Sequence, residues 1–198
     1  MHHTPAMTAE FNKTASAGDV PPMYSPVKSE YEPHLGAVHG VAVSPFNAQL
    51  FATVGADGSL RVYSRYQTKH ILSLEPCVGA LFGLQWSPFR PLVAAAGTAG
   101  GQVVLYDLLE GGGDATQPSK AFQACDRGTA VQALAFNPEL KEYLASADGS
   151  AVRVWELGAK LTTARTTEKK VLDAMAEAEG SADVSAILAA AARKAASS

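Results

Sequence analysis

The chain has 198 residues, 47% of them hydrophobic and 18% charged, which permits a packed domain and argues against general disorder. The formal net charge of −3 provides no concentrated basic face, so composition gives no reason to expect nucleic acid or an anionic membrane as a partner. Two cysteines, Cys77 and Cys125, are too few for a disulfide framework and lack the close spacing of zinc ligands.

Residues 1 to 30 are rich in Thr, Ala, Ser and Pro and follow neither the helix nor the strand period. This composition predicts a disordered arm without the apolar segment of a secretory signal. Within it, Pro21-Pro22-Met23-Tyr24 matches a motif that aromatic-lined grooves bind in extended form. Such short matches arise often by chance, so a plain linker is the favoured interpretation.

From residue 34 to residue 157 one unit occurs three times. Pro45, Pro88 and Pro138 are 43 and 50 residues apart, and three aromatic residues follow at intervals of 43 and 49, namely Tyr63, Tyr106 and Trp155. Apolar positions align at the same offsets: Val41, Leu84 and Leu134, then Val62, Leu105 and Val154. Periods of 20 to 50 residues indicate a repeat architecture.

Each unit contains three predicted strands: an alternating strand, an apolar strand after a proline turn, and a second alternating strand after a tight glycine turn. A weaker fourth strand, at 70–74 and at 120–124, is assigned to the second and third units. Four antiparallel strands in 43 to 50 residues are typical of a propeller blade. The prediction is an all-β, incomplete β-propeller with blades at about 34–64, 70–108 and 120–157.

The ends of these units resemble the WD-repeat family. Val-Arg-Val-Trp-Glu at 152–156 and Leu-Tyr-Asp at 105–107 are close to the Trp-Asp ending of that family. In the first unit, four residues stand where the family has a hydrogen-bonded structural set: His34, Thr53, Asp57 and Tyr63. The resemblance implies that they connect a loop, a strand and a turn within one blade.

The second and third units depart from this pattern. Cys77 and Arg127 occupy the position of the histidine, and Gly100 replaces the aspartate of the second tight turn. We therefore expect an incomplete network in these two blades. Family geometry also implies that partners bind to loops on one rim, which makes four residues candidates for partner binding: Cys77, Gly100, Arg127 and Asp148.

A narrower resemblance lies in Ser-Pro-Phe at 44–46 and Trp-Ser-Pro-Phe-Arg-Pro-Leu at 86–92. These segments are similar to the intermediate chains of ciliary dyneins, most closely those of cytoplasmic dynein 2, the retrograde motor of intraflagellar transport. The resemblance implies a non-catalytic subunit of the cytoplasm and cilium that binds dynein heavy chain. Further implied partners are a second intermediate chain, light chains and intraflagellar transport particles. The alternative is a scaffold that recruits substrates to a ubiquitin ligase or a trafficking complex.

Three blades cannot close a ring, because propellers have about 4 to 8 blades. The two terminal sheets are therefore predicted to expose apolar faces. Two explanations remain open: the chain is a piece of a longer protein, or another subunit covers these faces.

After residue 157 the composition changes, and thirteen of the forty residues from 159 to 198 are alanine. Helices are predicted at 168–179 and 183–196, with Ser181 or Asp183 as the cap of the second. Val184, Ile187 and Leu188 form a thin apolar stripe that is a candidate for helix docking. An exposed terminal helix is the favoured interpretation, because alanine contributes little apolar area.

Sequence motifs give no support for catalysis. The segment from Gly97 to Gly101 lacks the lysine of a phosphate-binding loop and falls in a predicted hairpin turn. Ser44, His34 and Asp57 could form a hydrolase triad only if they left their predicted structural roles. His2 and His3 could contact a metal only by chance, and His39 and His70 have no paired ligand at a useful spacing. The sequence predicts a protein that is not an enzyme and that binds no cofactor or metal.

Overall fold

The computed structural model describes residues 27–75, 79–110, 118–125 and 128–196. The chain divides into two compact units, Met1–Glu30 and Tyr31–Ser198. Of the first unit only residues 27 to 30 are described, and they are exposed and without regular secondary structure. The remainder of the predicted arm, with its Pro-Pro-Met-Tyr motif, lies outside the described residues.

In its described residues the second unit contains three antiparallel sheets. The first sheet has strands β1 Val38–Val43, β2 Leu50–Gly55, β3 Leu60–Ser64 and β4 His70–Leu74. The second has strands β5 Leu81–Trp86, β6 Val93–Thr98, β7 Gln102–Asp107 and β8 Lys120–Gln123. The third has strands β9 Ala133–Phe136, β10 Tyr143–Ala147 and β11 Val152–Glu156. All the strands predicted from alternation and turn residues are present.

The assignment of β4 and β8 to the following units was wrong. Each is the last strand of the preceding sheet: β4 pairs with β3, Leu72 opposite Val62, and β8 pairs with β7, Phe122 opposite Val103. The chain folds back between β3 and β4 within five residues, a length that favours an antiparallel neighbour. The sheets therefore run over 38–74, 81–123 and 133–156.

The first strands of the sheets lie side by side, β1 beside β5 and β5 beside β9, so the sheets stack as in an open, incomplete propeller. The core lies between the stacked faces. Leu50, Val54 and Leu81 are fully buried between the first and second sheets, and Leu105 and Leu144 between the second and third.

The proline turns have the same internal bond in all three sheets. The side-chain oxygens of Ser44, Ser87 and Asn137, each directly before a proline, accept hydrogen bonds from the backbone amide two residues later at 3.3, 3.3 and 2.9 Å. Short polar side chains often stabilise turns in this way. The hydroxyl of Ser44 therefore has a structural role, which is to stabilise the first proline turn.

The outer faces of the terminal sheets are apolar and exposed, which confirms the prediction for an open stack. Val41 and Val43 of β1 are 66% and 59% exposed, whereas Val152 and Val154 of β11 are 72% and 66% exposed. Val62, which occupies the equivalent position to Val154 in the first sheet, is 1% exposed because the second sheet covers it.

Three helices follow β11: α1 Ala159–Thr162, α2 Glu168–Glu177 and α3 Ser181–Ala196. The two long helices were predicted, with ends that differ by two residues, and α1 was not. No helix in the described ranges has the length and apolarity needed to cross a bilayer.

The interpretation of an exposed terminal helix was wrong. Val184 and Leu188 of α3 are completely buried and belong to the same core as β4, and Ile187 packs against that core. The apolar stripe of α3 does not dock alone, because α2 contributes Leu172 and Met175 to the same contact. Together the two helices bury enough apolar area to dock on the propeller.

Candidate blade network and partner-binding rim

The structure brings His34, Thr53 and Asp57 together in the first sheet. Nδ1 of His34 lies 3.0 Å from both carboxylate oxygens of Asp57, and Nε2 lies 2.7 Å from Oγ1 of Thr53. An ionised Asp57 requires Nδ1 to donate, so in the neutral ring Nε2 accepts from the threonine hydroxyl. The imidazole therefore connects the segment before β1 to β2 and to the β2–β3 turn.

Asp57 is the centre of this network. It also accepts hydrogen bonds from the amide of Leu35 at 3.1 Å and from the amide and hydroxyl of Ser59 at 3.1 and 2.9 Å. Burial alone would raise the pKa of Asp57, but the hydrogen bonds from His34, Ser59 and Leu35 outweigh burial and hold that pKa well below its usual range. Arg61 adds a positive charge, with its guanidinium 3.5 Å from the carboxylate.

Tyr63 lies outside the set formed by His34, Thr53 and Asp57. Its hydroxyl donates to the carbonyl of Glu32 at 2.8 Å, and its ring stacks on Phe51 with centroids 5.2 Å apart. Tyr31 meets the ring of Tyr63 edge to face. Tyr63 therefore holds the segment that enters the first sheet, a role that spacing along the sequence could not distinguish from bonding to Thr53.

In the third sheet the aromatic side chain does bond to a strand hydroxyl: Nε1 of Trp155 donates to Oγ of Ser146 at 2.8 Å. Ser146 occupies the same register position in β10 as Thr53 in β2. Ser146 was not predicted from the sequence, although the alignment that pairs Trp155 with Tyr63 contains it.

Asp148 repeats part of the chemistry of Asp57. Its carboxylate accepts hydrogen bonds from the amide and hydroxyl of Ser150 and from the amide of Ala151, and it forms an ion pair with Arg153. The bond from the Ser150 amide, followed by the Arg153 pair, holds the pKa of Asp148 well below its usual range. Asp148 therefore stabilises its own turn through the oxygens that a partner would otherwise contact.

The tight turns of the three sheets lie on one rim. Because strand direction alternates, the β2–β3, β6–β7 and β10–β11 turns stand at the end where the chain enters β1, β5 and β9. In each sheet a backbone hydrogen bond joins the tight turn to that entering segment: Ala56 to Ala37, Ala99 to Ala80, and Gln132 to Ala147. We call residues 34–37, 55–59, 98–102 and 147–151 the turn rim.

The turn rim presents one large apolar side chain to solvent. Leu35 is 93% exposed while its amide is hydrogen-bonded to Asp57. Gly100 is exposed on the same rim, and its carbonyl accepts from the side chain of Gln123 at 3.1 Å. Of the other predicted rim residues, Cys77 and Arg127 lie outside the described residues. Nothing in the repeat pattern predicted that the Leu35 side chain would be exposed.

The opposite end of the sheets carries the proline turns, residues 44–49, 87–92 and 137–142, which we call the proline rim. A shallow cavity of about 380 Å³ opens beside it between the first strands of the sheets. Its lining includes Val43, Trp86 and Phe136 with the three repeated prolines. On this rim Leu140 is 54% exposed.

A buried ion triad joins the C-terminal helices to the second sheet. The guanidinium of Arg90 is fully buried, pairs with Asp107 at 2.8 Å, and donates from Nε to Glu168 of α2 at 3.0 Å. Burial lowers the pKa of Arg90, but Glu168 and Asp107 more than compensate and raise it above its ordinary value. No group of three His, Cys, Asp or Glu side chains placed to hold a metal occurs in the parts of the chain that the structure describes.

The family model for the WD domain, G-beta repeat, matches residues 25–64, which include β1 to β3 and the His34–Asp57 pair. The stacked antiparallel sheets, two with four strands and one with three, agree with this match and form an open, incomplete propeller of the WD type. The chain is also similar to cytoplasmic dynein 2 intermediate chain 2 of Mus musculus, with 36% identity over 159 residues. The Homo sapiens protein of the same name is 33% identical over 156 residues.

These alignments cover 80% and 78% of the chain but only 29% and 28% of the two relatives. The chain therefore spans less than a third of the length of the relatives that it matches.

Proposed function

We propose that the chain acts as a non-catalytic intermediate-chain subunit of the ciliary retrograde dynein and binds dynein heavy chain through its propeller. The observation that carries this proposal is the similarity to dynein 2 intermediate chain 2, which extends over 80% of the chain. A second intermediate chain, light chains and intraflagellar transport particles are further proposed members of the same complex, located in the cytoplasm and cilium.

The turn rim is the proposed contact surface for the heavy chain. Leu35 presents nearly its whole side chain to solvent from a backbone that Asp57 and His34 hold in place. A backbone that is already held in place loses little further conformational entropy when a partner binds to it. Gly100 has no side chain, so a partner can approach the backbone closely on the same rim. Asp148 stabilises the tight turn of the third sheet.

The test compares two exposed leucines on opposite rims. Leu35→Asp and Leu140→Asp introduce the same charge at exposed loop positions, and each variant is expressed with an affinity tag in ciliated cells. We expect Leu35→Asp to reduce recovery of dynein 2 heavy chain at least tenfold, and Leu140→Asp to leave it within twofold of the unmodified chain. Recovery is measured by quantitative mass spectrometry.

Two results would contradict the proposal. Equal recovery of the heavy chain with both variants would exclude the turn rim as the contact. Failure of the unmodified chain to recover any dynein subunit, together with recovery of cullin-associated or coat proteins, would replace the motor assignment with the scaffold alternative.

A further inference from the structure

A groove runs between α2 and α3. Its volume is about 220 Å³. The lining side chains are Thr167, Lys170, Val171 and Ala174 from the α2 side and Ile187, Ala191 and Lys194 from α3. The spacing is i, i+3, i+4, i+7 on the α2 side and i, i+4, i+7 on α3, so two facing stripes form the groove.

The two helices are fixed to the propeller by polar contacts in addition to the apolar core. The Ser64 hydroxyl donates to the carbonyl of Ala176 at 2.7 Å, and Gln67 donates to the carbonyl of Ala178 at 3.0 Å. The Arg90–Glu168 pair holds the beginning of α2. Because the helices are held in place before any partner arrives, the groove is preformed, which lowers the entropic cost of binding.

The floor of the groove is apolar and shallow. Val171 and Ile187 provide apolar side chains, while Ala174 and Ala191 keep the two walls low. Helices approach to 8–10 Å when small residues occupy the contact, so a third helix can lie along this groove. At 1.5 Å per residue, α2 with its ten residues is about 15 Å long, which suits a partner helix of about 10 to 14 residues.

Charge is distributed unevenly along the groove. Its lining carries two positive charges, Lys170 and Lys194, and no negative charge. Both lysines lie at the end formed by the beginning of α2 and the end of α3, whereas Glu177 and Asp183 lie toward the connection between the helices. A helix with acidic residues at one end matches this distribution.

We propose that the α2–α3 groove binds an amphipathic helix of a partner protein whose acidic end lies over Lys170 and Lys194. The partner completes a three-helix arrangement on the outer surface of the propeller, in the helix-in-groove mode of recognition. This inference is independent of the dynein assignment, because it rests on the groove alone.

The test uses a stapled 14-residue helical peptide with leucines at i, i+3, i+4, i+7 and i+11 and glutamates at one end. A matched peptide carries lysines in place of the glutamates. Binding of each fluorescent peptide to the full chain is measured by anisotropy. We expect saturable binding of the acidic peptide and at least tenfold weaker binding of the basic peptide.

Two pairs of variants locate the site. Lys170→Glu alters the groove and Lys169→Glu alters the adjacent exposed position with the same change in charge. Ala191→Glu fills the groove, whereas Ala190→Glu places the same side chain on the exposed surface of α3. We expect the two groove variants to weaken acidic-peptide binding at least tenfold and the two controls to change it less than twofold. Thermal unfolding of all four verifies that α2 and α3 stay docked, and the Lys170 pair, which changes an exposed residue, decides the result if Ala191→Glu does not fold.

Three outcomes would overturn the proposal: no saturable binding of the acidic peptide, equal binding of the two peptides, or equal effects within both pairs of variants. A concentration-dependent dimer in sedimentation experiments that Ala191→Glu abolishes would assign the groove to a second copy of the chain instead. Heavy-chain recovery in the Leu35 experiment does not enter any of these outcomes, so the two proposals can fail separately.

Discussion

Nε of Arg90 donates to Oε1 of Glu168 at 3.0 Å, although 78 residues separate them and both side chains are completely buried. The pair joins the proline turn before β6 to the first turn of α2. Burying a charge pair costs desolvation energy. Removal of one partner therefore leaves the other charge buried without sufficient compensation. The C-terminal helices are therefore an integral part of the folded unit.

Glu168→Gln should lower the free energy of unfolding by about 3 kcal/mol, because Arg90 then keeps only Asp107 as a charged partner. Urea unfolding followed by circular dichroism measures the change. Glu177→Gln removes a charge from the exposed side of the same helix and should change the stability by less than about 0.5 kcal/mol. Equal unfolding midpoints for the two variants would show that the buried pair does not hold the helices.

Asp57 should make stability dependent on pH in the acid range. Its folded pKa lies below its unfolded value of about 3.9, so the stability it contributes is present above that value and is lost as the pH falls through the folded pKa. Asp57→Asn should cost about 2 kcal/mol at pH 7 and flatten the loss of stability below pH ~4. Urea midpoints between pH 7 and pH 3 test this, with Asp183→Asn, at an exposed position, expected to retain the original profile.

Gly97 in β6 lies close to the backbone of Val131, in the segment that enters β9. A Cβ at this position would lie 2.5 Å from the carbonyl oxygen of Val131, so Gly97→Ala must move backbone and should destabilise the protein by about 2 kcal/mol or more. Gly149→Ala, in a turn where a Cβ meets no atom within 4 Å, should be neutral or slightly stabilising. A smaller effect at Gly97 than at Gly149 in thermal unfolding would contradict the tight contact.

The bond between Trp155 and Ser146 predicts energetic coupling in the third sheet. A double-mutant cycle with Trp155→Phe and Ser146→Ala should give a coupling of about 1 kcal/mol. The same cycle in the first sheet, with Tyr63→Phe and Thr53→Ala, should be additive because the Tyr63 hydroxyl donates to Glu32. Coupling in the first sheet but not in the third would reverse this assignment of partners.

Leu188 tests the docking of α3. Leu188→Ala should reduce stability by about 2 to 5 kcal/mol, since the side chain is completely buried against the first sheet. Leu140→Ala removes the same atoms from a side chain that is 54% exposed and should cost much less. Hydrogen exchange in α3 should accelerate with the first variant only, and unchanged protection would show that this contact does not hold the helix.

The sequence by itself determined the strands, the turns and the number of repeated units. Alternation in segments such as 152–156 and glycine or proline in the turns act over a few residues, so their signal survives without knowledge of the fold. The three-fold repeat also sufficed to predict that an open stack exposes apolar faces, as Val41 and Val154 do.

Only the tertiary structure decided which sheet receives β4 and β8, which group bonds to Tyr63, and whether α3 docks. Each of these depends on how surfaces distant in sequence meet: Tyr63 finds Glu32, Ser64 finds Ala176, and Arg90 finds Glu168. A thin alanine-rich stripe is weak when judged alone, and it becomes part of a core because α2 and β4 supply the rest of the buried area. Burial is a property of the assembled surfaces, and local sequence patterns do not contain it.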